Sequence, residues 1–152
     1  MNAKLYEILA ICTSFIIIIC AILLFFKFKK LENSKLKLNF IILSIIIIFS
    51  GIFSVLMRSY RLTNNKCGIF CNHPLFYIDI LFAFLSLAVL LSSSICTNIK
   101  YFVILAFIFM IAGAIIPKFD YNICAFYLHL GGHIIICLSL IYMLLYSNLG
   151  KT

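Results

Sequence analysis

The stretch YEILAICTSFIIIICAILLFFKF, which runs from Tyr6 to Phe28, decides the fold class of this chain. It is long enough to cross the ~30 Å hydrocarbon core of a membrane, which takes roughly 20 residues of α-helix. It is continuous and lacks the period-two alternation of a barrel strand. It is too long for a signal peptide, carries Glu7 near its start, and is followed by Lys29 and Lys30 rather than by a small-residue cleavage site. We therefore predict a retained transmembrane helix.

Four further apolar segments follow the first one. They are Leu38–Met57, Phe76–Cys96, Tyr101–Pro117 and Ile123–Tyr146. Pro117 marks the end of the fourth segment, which is the shortest. The sequence thus predicts an all-α, polytopic transmembrane bundle of about five helices, forming a single domain over residues 1–152. Four helices with one re-entrant segment are the alternative topology.

Composition and charge support an integral membrane protein. The chain is 66% hydrophobic and only 11% charged, with a mean hydropathy of +1.24, which leaves too little polar sequence to cover a soluble surface. The net charge of +8 does not indicate nucleic-acid binding, because half of the lysines cluster between Lys27 and Lys37, around the loop between the first two apolar segments. That loop is expected to be cytoplasmic, which places the N-terminus outside and the C-terminus inside. The sequence does not identify the membrane in which the protein resides.

The cysteines divide into two groups. Those in or at the ends of the apolar segments are interpreted as small apolar fillers, and they are Cys12, Cys20, Cys96 and Cys137. Cys67, Cys71 and Cys124 fall on the predicted outer side, where a disulfide could persist. The spacing Cys67-x3-Cys71 differs from the Cys-x-x-Cys of thiol oxidoreductases, and three cysteines leave one unpaired, so no pairing is assigned.

Five polar side chains within the apolar segments predict a shared site. Ser54 lies late in the second segment, Arg58 follows one helical turn later, directly after the last apolar residue of that segment, and Ser50 extends the same stripe. Asp79 opens the third segment, and the fifth carries His129 and His133. The parity of the crossings places all these groups near one membrane face, whichever way the protein is inserted. Ionisable groups in such positions are costly and are by default functional candidates.

The chemistry of these residues suits a metal site. His129 and His133, at i and i+4, share one helix face and can chelate one ion, most commonly zinc. His73, just before the third segment, is a spare imidazole that could complete the ligand set. Asp79 is a candidate general base, ligand or support for a ligand, and Ser54 a candidate oxyanion donor. Arg58 is a candidate group for binding substrate through a lipid phosphate.

Structural interpretations stand beside the functional ones. Arg58 and Asp79 could form an interfacial ion pair, with Arg58 reaching toward the headgroups. Ser54 could serve only to let membrane helices pack closely. Gly131 and Gly132 are expected to admit a neighbouring helix, and His73 could be an ordinary loop residue.

The pattern of Ser54-x3-Arg58, then Asp79, then His129-x3-His133 resembles the superfamily of alkaline ceramidases and progestin-and-adipoQ receptors. The resemblance implies that His129 and His133 bind zinc, that Asp79 orients or deprotonates a zinc-bound water, and that Ser54 assists. Arg58 stands where that superfamily has its third histidine ligand, and a guanidinium repels a metal ion. The superfamily also has seven helices. Either His73 replaces the missing ligand, or zinc-dependent hydrolysis has been lost.

Two functions therefore remain open at the level of sequence. The first is a zinc-dependent hydrolase that cleaves a lipid amide or ester near one membrane face. The second is a non-catalytic membrane protein that binds membrane lipids or acts as a subunit of a larger membrane complex or homo-oligomer.

Overall fold

A computed structural model describes residues 3–30, 34–64, 74–92, 97–115 and 122–146, and these residues form five α-helices and no strand. The helices are α1 (Ala3–Phe28), α2 (Ser34–Thr63), α3 (Pro74–Ser92), α4 (Thr97–Ile115) and α5 (Asn122–Tyr146). The predicted all-α fold with five helices is confirmed. Pro117 lies outside the described residues.

The outer surface of the bundle is apolar. Stretches of three helices are long and apolar enough to cross a membrane, namely Lys4–Phe28, Lys37–Thr63 and Tyr127–Leu145. Within the described parts of α3 and α4 the apolar stretches are shorter, Tyr77–Ser86 and Tyr101–Ala112. Large side chains such as Phe15, Ile19 and Phe26 point outward and are more than half exposed. Helices that are apolar on every face are typical of a membrane environment, so the fold supports a membrane protein.

The five helices are arranged as a ring. α1 packs against α2 on one side and α5 on the other, α2 continues to α3, and α5 continues to α4. The ring closes between α3 and α4, which approach each other at few points in their described parts. The starts of α1 and α5 and the end of α2 meet at one end of the ring, as their hydrogen bonds show. The parity argument from the sequence predicted that the end of α2 and the start of α5 lie at the same end, but it did not include the start of α1.

Apolar packing holds the opposite end of the ring together. Phe28 and Phe40 are buried and stack with their ring centroids 3.7 Å apart. Beside them, Lys27 Nζ donates hydrogen bonds to the carbonyls of Met143 (3.3 Å) and Leu144 (2.6 Å) in the last turn of α5. A cation is favourable there because the carbonyl end of a helix carries partial negative charge. We call this region, Lys27, Phe28, Phe40, Met143 and Leu144, the Lys27 end.

Gly132 permits the close contact between α4 and α5. A Cβ atom at this position would lie 2.8 Å from the Ala106 carbonyl oxygen and 2.5 Å from Met110 Cγ. The backbone oxygen cannot move aside without shifting α4, so only a residue without a side chain fits. The prediction that Gly132 admits a neighbouring helix is confirmed.

α2 is longer than the sequence predicted. The apolar run suggested Leu38–Met57, whereas the helix continues to Thr63. The extra turns carry Arg58 and Arg61, which are only 4% and 3% exposed. Both bind a carboxylate on α1, so this polar segment packs inside the bundle.

Candidate functional site

Arg58 is the centre of a buried polar cluster at the end of the ring where α1 and α5 begin and α2 ends. Its guanidinium is within hydrogen-bond distance of five protein atoms. They are Ser54 Oγ (3.3 Å from Nε), Tyr6 Oη and Glu7 Oε2 (both 3.2 Å from Nη1), and His129 Nδ1 (3.5 Å) and His133 Nε2 (3.3 Å), both from Nη2. Arginine has five N–H donors, so the protein supplies as many acceptors as Arg58 has donors.

The negative charge opposite Arg58 comes from Glu7. This carboxylate is fully buried, and its second oxygen lies 3.4 Å from Arg61 Nη1. One carboxylate thus bridges two guanidinium groups from α2, and it comes from α1. We call Tyr6, Glu7, Ser54, Arg58, Arg61, His129 and His133 the Arg58 cluster. Buried charges need such pairing, because desolvation of an isolated ion is very costly.

The two histidines face Arg58 together. Their ring centroids are 5.0 Å apart, as expected for neighbours at i and i+4. His129 Nδ1 also lies 3.1 Å from Tyr6 Oη. The predicted common face of His129 and His133 is therefore present. Both imidazoles have Arg58 Nη2 as a partner. The positively charged guanidinium thus occupies the place where a metal ion bound by both histidines would lie.

The described residues hold no group of three or more His, Cys, Asp or Glu side chains that could bind a metal ion. His73, the predicted additional ligand, lies outside them, as do Cys67 and Cys71. Because one nitrogen of each histidine is within hydrogen-bond distance of the Arg58 guanidinium, this arrangement does not fit zinc as it stands. The zinc site stays a prediction that only metal analysis tests.

Ser54 belongs to the Arg58 cluster by direct contact. It is 4% exposed, accepts from Arg58 Nε, and shares a 3.3 Å hydrogen bond with Ser14 of α1. Ser14 is also bonded to the Ala10 carbonyl at 2.8 Å. Ser54 therefore joins α1 to α2 while it supports Arg58. Its predicted oxyanion role is not tested by these contacts.

Asp79 occupies a different position from Glu7. The described residues give Arg58 an ion pair with Glu7 and none with Asp79. Asp79 instead lines a cavity in the middle of the ring, close enough to Arg58 and Arg61 to interact with their charges.

The cavity has a volume of about 180 Å³ and is bounded by all five helices. An engineered protein cavity of ~150 Å³ is enough for benzene, so this one exceeds an ordinary packing defect. On α5 its lining extends from His129 to Met143, which corresponds to about 21 Å along a helix. Most of the lining is apolar, and serines are scattered along it. Its ionisable groups are all near one end, and they are Asp79, His129 and His133.

The sequence analysis missed Tyr6, Glu7 and Arg61 as members of the cluster. Glu7 was noted only as an argument against a signal peptide. The parity argument that grouped Arg58, Asp79 and the histidines applies equally to the first turns of α1, so the signal was present. An acidic residue inside an apolar helix requires a buried partner, and the two arginines at the end of α2 are that partner.

A scan against protein-family models found no match, and searches of curated proteins and of solved structures found no relative of this chain. The resemblance to ceramidases and progestin-and-adipoQ receptors therefore stays a prediction based on Ser54, Asp79, His129 and His133.

Proposed function

We propose that this chain is a multi-pass membrane protein that holds a lipid molecule in its central cavity without hydrolysing it. The observation that carries the proposal is the cavity itself. It is mostly apolar, with ionisable groups near one end, and its volume of about 180 Å³ accommodates part of a lipid, such as a short length of acyl chain. The described parts of α3 and α4 approach each other at few points, which supports the proposal, because a lipid could enter sideways from the membrane there.

The Arg58 cluster supports a binding role more than a catalytic one. Arg58 donates to groups on three helices, so the guanidinium serves to tie α1, α2 and α5 together. A rigid frame of this kind holds His133 and His129 at the cavity wall. It also keeps a fixed positive charge between the two imidazoles, which disfavours a metal cation.

Replacing each of two alanines on α3 by phenylalanine tests lipid binding. Ala83 lines the cavity, whereas Ala88 faces outward. We expect Ala83→Phe to fill the cavity and to remove most of the lipid that copurifies with the protein, measured by native mass spectrometry. Ala88→Phe adds the same ring to the same helix and should retain the lipid. Equal lipid content in both variants and wild type contradicts the proposal.

A zinc-dependent lipid hydrolase is the second candidate. The observation that favours it is that Ser54, Asp79, His129 and His133 all line this one cavity. For His129 and His133 to bind a metal ion through the nitrogens that face Arg58, the guanidinium would first have to leave its place between them.

Elemental analysis of the purified protein separates the two candidates. Lipid binding without hydrolysis predicts that wild type contains no stoichiometric zinc even after growth with added zinc. One zinc per chain in wild type, lost in the double variant His129→Ala/His133→Ala, supports the hydrolase and contradicts the first proposal. The variant Lys27→Met, at the Lys27 end, is the control for non-specific metal uptake.

A further inference from the structure

Two aromatic side chains lie between the cavity and the membrane on the side of the bundle formed by α3 and α4. Phe84 of α3 and Phe107 of α4 are in contact, with their ring centroids 5.8 Å apart, and both line the cavity. Phe107 is buried, whereas Phe84 is 50% exposed. Leu81, one turn before Phe84 on α3, is also exposed but is not among the residues that line the cavity. Phe84 therefore lies at the edge between the cavity and the membrane.

The surroundings of Phe84 allow a ligand to pass this edge. The described parts of α3 and α4 approach each other at few points, so no tightly packed helix pair has to separate. Exposed side chains change rotamer within nanoseconds, which is fast compared with helix movements. A turn of the Phe84 side chain is thus the main movement that connects the cavity with the membrane.

The depth of Phe84 and Phe107 determines which part of a lipid can reach them. Each lies ten residues after the first residue of its helix. Ten residues correspond to about 15 Å along a helix. Because the hydrocarbon core is ~30 Å thick, both side chains lie near its middle. The methyl ends of acyl chains reach the middle of a bilayer, whereas headgroups stay at its surfaces.

The volume and the lining of the cavity also suit the end of an acyl chain. A protein cavity of ~150 Å³ holds benzene, so about 180 Å³ accommodates a short hydrocarbon segment and not a whole lipid. Apolar side chains such as Ile17, Ile47 and Leu140 form part of the wall. A chain end has no hydrogen-bonding group, so its burial against these side chains is favourable and leaves no polar atom unpaired.

We propose that the cavity takes the methyl end of one acyl chain of a bilayer phospholipid, which enters between α3 and α4 past Phe84. The glycerol and the headgroup remain in the membrane. This inference rests on the proposed lipid-binding function. Phe84 covers the opening when the chain is absent and packs beside the chain when it is present.

Photo-crosslinking with two phosphatidylcholines tests which part of the lipid enters. One carries a diazirine near the methyl end of a palmitoyl chain, and the other carries it near the carboxyl end. Each is added to phosphatidylcholine nanodiscs that contain the wild-type protein, and labelled residues are mapped by peptide mass spectrometry. Ile47 of α2 lines the cavity and is 4% exposed, whereas Ile45 is 40% exposed and is not among the lining residues. We expect the methyl-end probe to label both isoleucines and the carboxyl-end probe to leave Ile47 unlabelled.

The variants Ala83→Phe and Ala88→Phe control for the route to Ile47. Ala83→Phe should lose the labelling of Ile47 and keep that of Ile45, and Ala88→Phe should keep both. Equal labelling of Ile47 by the two probes overturns entry by the methyl end but leaves lipid binding intact. Labelling of Ile45 without any labelling of Ile47 overturns the proposed function as well. Labelling of Ile47 that persists in Ala83→Phe shows a route outside the cavity and overturns this inference.

Phe84→Ala tests the opening itself. Without the aromatic ring a larger fraction of molecules can admit the chain, so the methyl-end probe should label Ile47 roughly threefold more than in wild type. Leu85→Ala is the matched control, because Leu85 is the next residue, is 41% exposed and is not among the lining residues. It should leave the labelling of Ile47 unchanged. Equal labelling in Phe84→Ala and wild type, or the same increase in Leu85→Ala, overturns the role of Phe84.

Discussion

The two ends of the helix ring are held together by different means, although α1, α2 and α5 meet at both. At the Arg58 cluster, the contacts are charged and interlocked, with Glu7 between two guanidinium groups and Arg58 between two imidazoles. At the Lys27 end, stacked aromatic rings form the contact, and Lys27 adds hydrogen bonds to carbonyls of α5.

This difference decides how each end responds to substitution. In the Arg58 cluster the side chains share hydrogen bonds and ion pairs with one another, so the loss of one leaves a buried charge or donor without its partner. At the Lys27 end the partners of Lys27 are backbone carbonyls, which remain part of the helix when the lysine is removed. The Arg58 cluster should therefore be the end more sensitive to substitution, although apolar packing contributes at both ends.

Glu7→Gln should produce the largest effect. It leaves two buried guanidinium groups without their carboxylate, which is expected to lower the free energy of unfolding by about 3–5 kcal/mol. The free energy can be measured by titrating the purified protein with sodium dodecyl sulfate in mixed micelles. The Arg58→Met variant, alone and combined with Glu7→Gln, completes a double-mutant cycle. Strictly additive effects would show that Glu7 and Arg58 are not coupled, and would remove the proposed contrast between the ends.

A pair of serine substitutions gives an intermediate effect and compares the ends directly. Ser54 accepts a hydrogen bond from the charged Arg58, and Ser54→Ala should cost about 1.5–3 kcal/mol. Ser139, toward the Lys27 end, is also buried, but its hydroxyl donates to the Ile135 carbonyl of its own helix at 2.8 Å. Ser139→Ala should stay within about 0.5 kcal/mol of wild type, because Ala favours the helix. Similar losses from both variants in the same titration contradict this prediction.

Lys27→Met should have the smallest effect among the charged positions. Methionine keeps an apolar stem of similar length but loses the attraction to the carbonyl end of α5, which is worth about 0.3–1 kcal/mol. The same unfolding titration measures it, with Lys27→Arg as the variant that retains the charge. If Lys27→Met is as damaging as Glu7→Gln, the Lys27 end depends on its cation as strongly as the Arg58 cluster does.

The fold was predictable from the sequence because its main determinant is local. A membrane helix needs an apolar run of a given length, and five such runs were visible, including Tyr6–Phe28. The end of α2 was not predicted. The apolar run ends at Met57, and Arg58 was placed on the helix only by its spacing from Ser54. Ion pairs with Glu7 hold Arg58 and Arg61 inside the bundle.

The candidate site was predictable in part. Parity of the crossings brought together Ser54, Asp79, His129 and His133, and the structure places all four along one cavity. The pairing within the site was not predictable. Either Asp79 or Glu7 could have balanced Arg58, since both lie near the same end of the bundle, and the choice depends on which helices are neighbours in the ring.

The sequence by itself determined that this chain forms apolar helices and that Arg58, Asp79 and the two histidines of α5 lie near one end, because helix length and crossing parity follow from the order of residues. The tertiary structure alone decided that Arg58 faces a ring nitrogen of each histidine, that Glu7 is its carboxylate, and that a cavity lies beside Asp79. The physical reason is that hydrogen bonds and ion pairs act over a few ångströms between helices. Which helices are neighbours in the ring cannot be read from the sequence of any single helix.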